Sequence, residues 1–157
     1  MAVDLGAKRT GIAVGDAFTC IATPIDVLHV PLADAGGERL LDAIVLASFK
    51  HLGVPGEGRG EIIVGLPLNM DGTEGGGAKR AREFAARIGE RARRVVHLVD
   101  ERLSSAQAEW DLAGSGLTHG QKKDKRDALA AAAVLREFLE TMKRGGGKAD
   151  GEEQEGA

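Results

Sequence analysis

The sequence contains no tyrosine, one tryptophan (Trp110), four phenylalanines and one cysteine (Cys20) among 157 residues. Aromatic residues make up 3% of the chain, which leaves little to stack on nucleobases. Any nucleic-acid contact is therefore expected to fall mainly on phosphates and to weaken with salt. A single cysteine excludes an intramolecular disulfide framework and a multi-cysteine zinc site. No apolar run approaches the roughly 18–20 residues of a membrane span. The opening Met1-Ala2-Val3-Asp4 has no basic stretch leading into an apolar one, as a secretory signal would. These absences lead to the expectation of a cytoplasmic protein with no membrane partner.

What is present is ordinary for a globular domain: 43% hydrophobic and 29% charged residues. The length suits one domain, able to bury roughly 70% of the surface its unfolded chain exposes. The formal net charge is −3, but it is unevenly spread. The last fourteen residues carry two basic and four acidic side chains, and the rest is nearly neutral. Residues 79–94 hold seven basic residues, Lys79, Arg80, Arg82, Arg87, Arg91, Arg93 and Arg94, against Glu83 and Glu90. The run Lys122-Lys123-Asp124-Lys125-Arg126 adds a second basic stretch. These stretches read either as one basic face or as two solvated helix faces.

The 23 glycines cluster between periodic segments and so mark loops. Residues 1–143 read as one folded domain, and residues 144–157, rich in glycine and acid, as a disordered tail. Short β-type runs are expected at 2–5, 10–14 and 20–25, with 27–30 extending the third and a tight hairpin at Gly6 to Arg9. Helices are expected at 40–52, on the face Ala81, Phe84, Ala85, Ile88 and Ala92, briefly from the Ser104/Gln107 capping box to Gly114, and at 121–142. The last helix should bury Ala128, Ala132, Leu135, Leu139 and Met142. Apolar runs at 61–64 and 95–99 look like central parallel strands. The order predicts a mixed α/β sheet with helices on both faces.

Three acids stand out. Asp4 interrupts an apolar strand, where a carboxylate is costly unless paired or metal-bound. Glu101 lies just beyond the fifth strand. Asp127 lies early in the last helix, and helical spacing turns both Asp124 and Asp127 toward its apolar side, with Lys122, Lys125 and Arg126 turned away. Acids from separate elements can meet at one end of a sheet and hold Mg²⁺ or Mn²⁺ for phosphodiester chemistry. The alternatives are capping for Asp127, a Glu101–Arg102 salt bridge and a local turn bond for Asp4. The segment Gly65-Leu66-Pro67-Leu68-Asn69-Met70-Asp71-Gly72-Thr73-Glu74-Gly75 precedes the basic helix. It could offer N–H groups to a phosphate or be a plain connection. Cys20 reads as a small buried hydrophobe, Trp110 as core or a dimer contact, and His97 as structural.

Five blocks resemble the YqgF-type family of pre-16S rRNA nucleases and Holliday junction resolvase-like proteins. They are Val3-Asp4-Leu5-Gly6-Ala7-Lys8-Arg9-Thr10-Gly11-Ile12-Ala13-Val14 with Asp16, then Ala22-Thr23-Pro24-Ile25, residues 64–75, residues 99–103, and Asp127-Ala128-Leu129-Ala130-Ala131. The resemblance implies a ribonuclease H-like fold: a five-stranded mixed sheet, its first three strands antiparallel and the rest parallel, with helices on both faces. It implies that Asp4, Glu101 and Asp127 are catalytic metal ligands, for Mg²⁺ or Mn²⁺, with Asp124 as a possible fourth. Lys8 and Arg9 match the family's basic pair, suited to phosphate contact. Asn69, Asp71 and Arg102 match shared polar positions, and Lys79 and Arg80 extend the expected substrate surface. Ser104-Ser105 stands where threonines are usual, and Arg126 where an apolar residue is more common.

The expected function is a metal-dependent, two-metal endonuclease acting on structured nucleic acid, at the 5′ end of pre-16S rRNA, free or in ribosomal precursor particles. One alternative is a Holliday junction resolvase, which needs a dimer for two symmetric cuts. Another is a binding or assembly factor without catalysis. Monomer and homodimer both remain open. The first hairpin also resembles that of the sugar kinase and actin superfamily, but those proteins clamp a nucleotide between two such domains, and one domain is too short for that.

Overall fold

The computed structural model describes residues 1–55, 57, 60–103 and 118–146. The expected helix of residues 104–114, with Ser104, Ser105 and Trp110, and most of the expected tail lie outside the described residues. The described chain runs β1 (Ala2–Leu5), β2 (Thr10–Asp16), β3 (Ile21–Leu28), α1 (Glu38–Leu52), β4 (Ile62–Leu66), α2 (Gly76–Ala92), β5 (Val96–Asp100) and α3 (His119–Gly146). Short 3-10 turns cover Asp34–Gly37 and Glu101–Leu103. The strands form one sheet in the order β3-β2-β1-β4-β5. The β1–β2 and β2–β3 pairs are antiparallel, and the β1–β4 and β4–β5 pairs are parallel. The mixed sheet expected from the sequence is therefore the one observed.

Alternation along the strands sorts side chains into two cores. Val3, Ile12, Ile62 and Val64 face one way and pack with Leu40, Leu41 and Ile44 of α1 and Phe84, Ala85 and Ile88 of α2. Ala2, Ala13 and Ile63 face the other way, onto Ala131, Ala132, Val134, Leu135 and Leu139 of α3. All five apolar positions singled out on α2 are buried, with Ala78 added one turn earlier. On α3 the expected stripe needs one correction: Met142 is 51% exposed, and Ala131 and Val134 are buried instead. The seam slides around the helix because 3.6 residues per turn do not keep a strict i, i+4, i+7 stripe on one line.

Two smaller expectations also change. Cys20 is only half-buried, in the β2–β3 turn at φ 57°, with its Sγ donating to the Ala17 carbonyl at 3.6 Å. Lys122 is half-buried rather than turned fully outward, whereas Lys125 and Arg126 are exposed.

Helix α3 crosses β2 closely at Gly11. A Cβ at that position would overlap the carbonyl of Asp127 and lie 3.1 Å from the Ala128 nitrogen. Since Gly11 is the register partner of Asp4, the bare glycine brings the start of the alanine-rich part of α3 against the strand beside Asp4.

Candidate metal and nucleic-acid site

Asp4 shares the face of Ala2, by the period-2 rule, and so faces α3. It sits one residue from the C-terminal end of β1. The next strand, β4, runs parallel, and its Gly65 follows Ile63 on the same face. Glu101 opens the turn after β5, and its carboxylate lies across the bare Cα of Gly65, where a Cβ would come within 2.7 Å of Glu101 Cδ. Three parallel C-terminal strand ends thus deliver two acids to one edge.

The Asp4 and Glu101 side chains share a hydrogen bond, with Glu101 donating its proton to the Asp4 carboxylate. Burial is the main reason the Glu101 carboxyl is pushed up to about 8, followed by the negative charge of Asp4, the shared hydrogen bond and the charge of Asp100. Burial also raises Asp4; the bond to Glu101 opposes that rise and the charge of Asp127 adds to it. Two half-buried carboxyls in hydrogen-bond contact cannot both ionise freely, so at neutral pH they hold a proton between them.

Asp127 comes to the same face but is held by another partner. Arg9 Nε stands 2.9 Å from Asp127 Oδ2, and its guanidinium reaches Asp124 Oδ1 at 3.4 Å. The Arg9–Asp127 approach misses hydrogen-bond alignment, so Oδ2 is buried without a hydrogen-bond partner. His29 Nε2 lies 3.3 Å from the other oxygen of Asp124. The inward-turned acids of α3 thus face an arginine and a histidine. Among the described residues, no group of three or more histidine, cysteine, aspartate or glutamate side chains is gathered as a metal set. The Asp4–Glu101 pair is preassembled, and Asp127 acts on Asp4 through its charge.

Behind the acids lies a second polar cluster. In the loop after β4, Asn69 Nδ2 donates to Thr73 Oγ1 at 2.9 Å, and the Thr73 amide and hydroxyl both donate to Asp71 Oδ1. Arg102 pairs with Asp100 at 2.6 Å, not with Glu101 as one reading of the sequence had it, and extends toward the Asn69 and Met70 carbonyls. In this arrangement Asn69, Asp71 and Arg102 shape the loop beside the site. Lys8, in the first hairpin, is exposed.

The basic segment of residues 79–94 is partly neutralised. Arg82 pairs with Glu74, Arg87 with Glu38 at 2.5 Å, and Arg91 with Glu38 and Asp42 at 2.7 Å each. Arg94 donates to the carbonyls of Leu52, Gly53 and Gly60. Lys79 and Arg80, near the start of α2, are exposed and make no ion pair among the described residues, although the Lys79 charge acts on Glu74. Sequence reading missed the acids of α1 as partners, because Glu38 and Asp42 lie about fifty positions away. It also missed Gly65 and Gly11. The available signal was a glycine at an inward-facing strand position, which marks a close approach.

The strand order, with Asp4 near the C-terminal end of β1 and Glu101 just after β5, is that of a ribonuclease H-like α/β domain. A solved structure of T. thermophilus RuvC in complex with Holliday junction substrate shares the fold. Its TM-score is 0.50 at 15% identity, over 90% of this chain and 93% of that one. The chain belongs to the RuvX family, described as "Holliday junction resolvase", which matches residues 1–141. Its relatives include proteins named "Putative pre-16S rRNA nuclease". That of Maridesulfovibrio salexigens is 35% identical over 139 residues, 88% of this chain and 96% of the relative. Those of Thiobacillus denitrificans and Anaeromyxobacter dehalogenans are 38% and 39% identical, each over 89% of this chain and 90% or more of the relative. No helix among the described residues is long and apolar enough to cross a membrane.

Proposed function

We propose that this chain is a divalent-metal-dependent endonuclease that hydrolyses phosphodiester bonds at the 5′ end of a 16S rRNA precursor. The observation that carries this reading is the Asp4–Glu101 pair, two half-buried carboxyls hydrogen-bonded to each other at the C-terminal edge of the sheet. A water-exposed salt bridge would not need such a pair, and a packed core would not tolerate it without a counter-charge. The donors are all carboxylate oxygens, which suit Mg²⁺ or Mn²⁺, and Asp127 Oδ2 is a buried oxygen without a hydrogen bond. The residues therefore fit such an ion, with Asp4, Glu101 and Asp127 as its holders and Asp124 at the margin. A bound ion, or two, would activate water and neutralise charge on the scissile phosphate.

The chain's own residues have separate tasks. Asp4 and Glu101 would hold the ion, releasing the proton between them to solvent. Gly65 makes room for Glu101. Lys8, Arg9, Lys79 and Arg80 meet strand phosphates, which suits a protein with few aromatics. Asn69, Asp71 and Arg102 fix the loop that borders the strand's path. The names of the relatives favour precursor RNA, met in the cytoplasm as free RNA or as a precursor particle.

The test is to incubate the protein with a 5′-extended 16S precursor and with a four-way DNA junction, each in Mg²⁺ or Mn²⁺, beside Asp4→Asn. Cleavage of the RNA that the variant lacks is the expected result. Cleavage of the junction alone would replace the proposal with a resolvase, and cleavage of neither with a binding or assembly role.

A further inference from the structure

We propose that Arg9 is the site's resident counter-cation, competing with the divalent ion for Asp127 and Asp124 until a substrate phosphate draws it away. This inference rests on the nuclease reading above and adds to it a coupling between metal and strand. Arg9 is placed by the tight hairpin between β1 and β2, where the Gly6 amide donates to the Arg9 carbonyl at 3.0 Å. A Cβ on Gly6 would overlap that carbonyl, so this tight turn depends on the bare glycine. The side chain is 18% exposed, lying between the hairpin and α3, and its guanidinium spans two carboxylates, at 2.9 Å and 3.4 Å.

The contact is held by charge alone on the Asp127 side. Arg9 Nε is close to Oδ2 but misaligned, and that buried oxygen accepts no hydrogen bond. An ion pair of this kind costs little to exchange for a better-aligned partner. A phosphate offers the guanidinium a bidentate geometry that it does not have here. The same move bares Asp127 for a cation of higher charge. A guanidinium and a divalent ion crowded onto one carboxylate repel each other, so each site state excludes the other. Strand binding and metal binding then reinforce one another, and by linkage the effect is reciprocal. Such coupling would leave the metal set incomplete until a strand is in place.

The test reads metal affinity rather than cleavage. Mn²⁺ would be titrated into wild type, Arg9→Gln and Arg9→Lys, followed by the resonance of free Mn²⁺, with and without a phosphorothioate-backbone RNA hairpin. Arg9→Gln should bind Mn²⁺ alone about fivefold or more tighter than wild type. The hairpin should tighten Mn²⁺ binding to wild type and leave Arg9→Gln nearly unchanged. Arg9→Lys keeps the charge and should stay near wild type. A merely structural arginine predicts the opposite sign, since a loosened site binds metal more weakly. Equal or weaker Mn²⁺ affinity in Arg9→Gln overturns the inference and leaves the nuclease reading standing. If neither wild type nor Arg9→Gln takes up Mn²⁺, both fall.

Discussion

The carboxylate of Glu101 rests on the bare Cα of Gly65, so the identity of one residue on β4 sets the position of an acid that follows β5. A Cβ there would overlap Oε1 and meet Cδ at 2.7 Å. The three nearest atoms all belong to that side chain, which can swing aside.

Gly65→Ala should therefore displace Glu101 without disturbing the sheet. We expect cleavage to fall about 100-fold, the scale of a catalytic group misplaced by roughly 1 Å. The melting temperature should change little. Rates on the precursor RNA and thermal melts of the same preparation check this. Wild-type cleavage by Gly65→Ala would remove Glu101 from the proposed machinery.

Gly11→Ala should behave in the reverse way. Here the obstructing atoms are the backbone of Asp127 and Ala128, which cannot rotate out of the way. Helix α3 would have to lift from β2, opening the core formed by Ala13, Ala131 and Leu135. The expected cost is about 3 kcal/mol, read from the urea midpoint at unchanged m. A midpoint within error of wild type would mean that the helix has slack at this crossing.

These two glycines also show where sequence reading reached its limit. Alternation placed Asp4 in β1 and the apolar runs in central strands, because period-2 burial is a local property of the chain. Helix spacing placed Asp127 and Asp124 on the inward side of α3 for the same reason. The partners of those acids were not local. The sequence suits Arg9 to phosphate contact, and its distance of more than 110 positions from Asp124 hides an ion pair that only the packed fold creates. The charge of residues 79–94 was legible as a sum but not as a field, since Glu38 and Asp42 of α1 cancel much of it across the helix–helix contact. Arg102 pairs with Asp100, so the Glu101–Arg102 salt bridge that the sequence left open as an alternative does not form.

Stability should carry the mark of the shared proton. In the unfolded chain Glu101 titrates near 4.5, and in the fold near 8. The folded state thus binds the extra proton between these values, so stability falls as pH rises through that window. The contribution is complete below about pH 4.5 and gone above about pH 8. Glu101→Gln keeps a donor for Asp4 and removes the titration. It should melt several degrees above wild type at pH 8.5 and coincide with it near pH 4.5. Mn²⁺ should raise the wild-type melting temperature at pH 8.5 and raise that of Glu101→Gln less. Parallel pH profiles for the two proteins would contradict the proton-sharing pair.

The cations of α2 should divide by function according to whether they have partners. Lys79 and Arg80 are exposed near the start of α2 and make no ion pair among the described residues, although the Lys79 charge also acts on Glu74, so their charge is available to a strand. Arg87 and Arg91 spend theirs on Glu38 and Asp42. The double variant Lys79→Ala/Arg80→Ala should weaken binding of the precursor RNA at any sequence. Its plot of log affinity against log salt should flatten by about 1.4, as expected for two lost phosphate contacts at roughly 0.7 each on single strands. Arg87→Ala/Arg91→Ala should leave that slope unchanged. Its cost should appear as a small loss of stability, read from the urea midpoint, because exposed pairs contribute little and the freed acids then repel. Removing Arg87 also strips an exposed guanidinium from the face of Phe84, 5.2 Å from the ring centroid, which adds to the loss. A slope change in the second variant and none in the first would move the strand's path from the start of α2 to its middle.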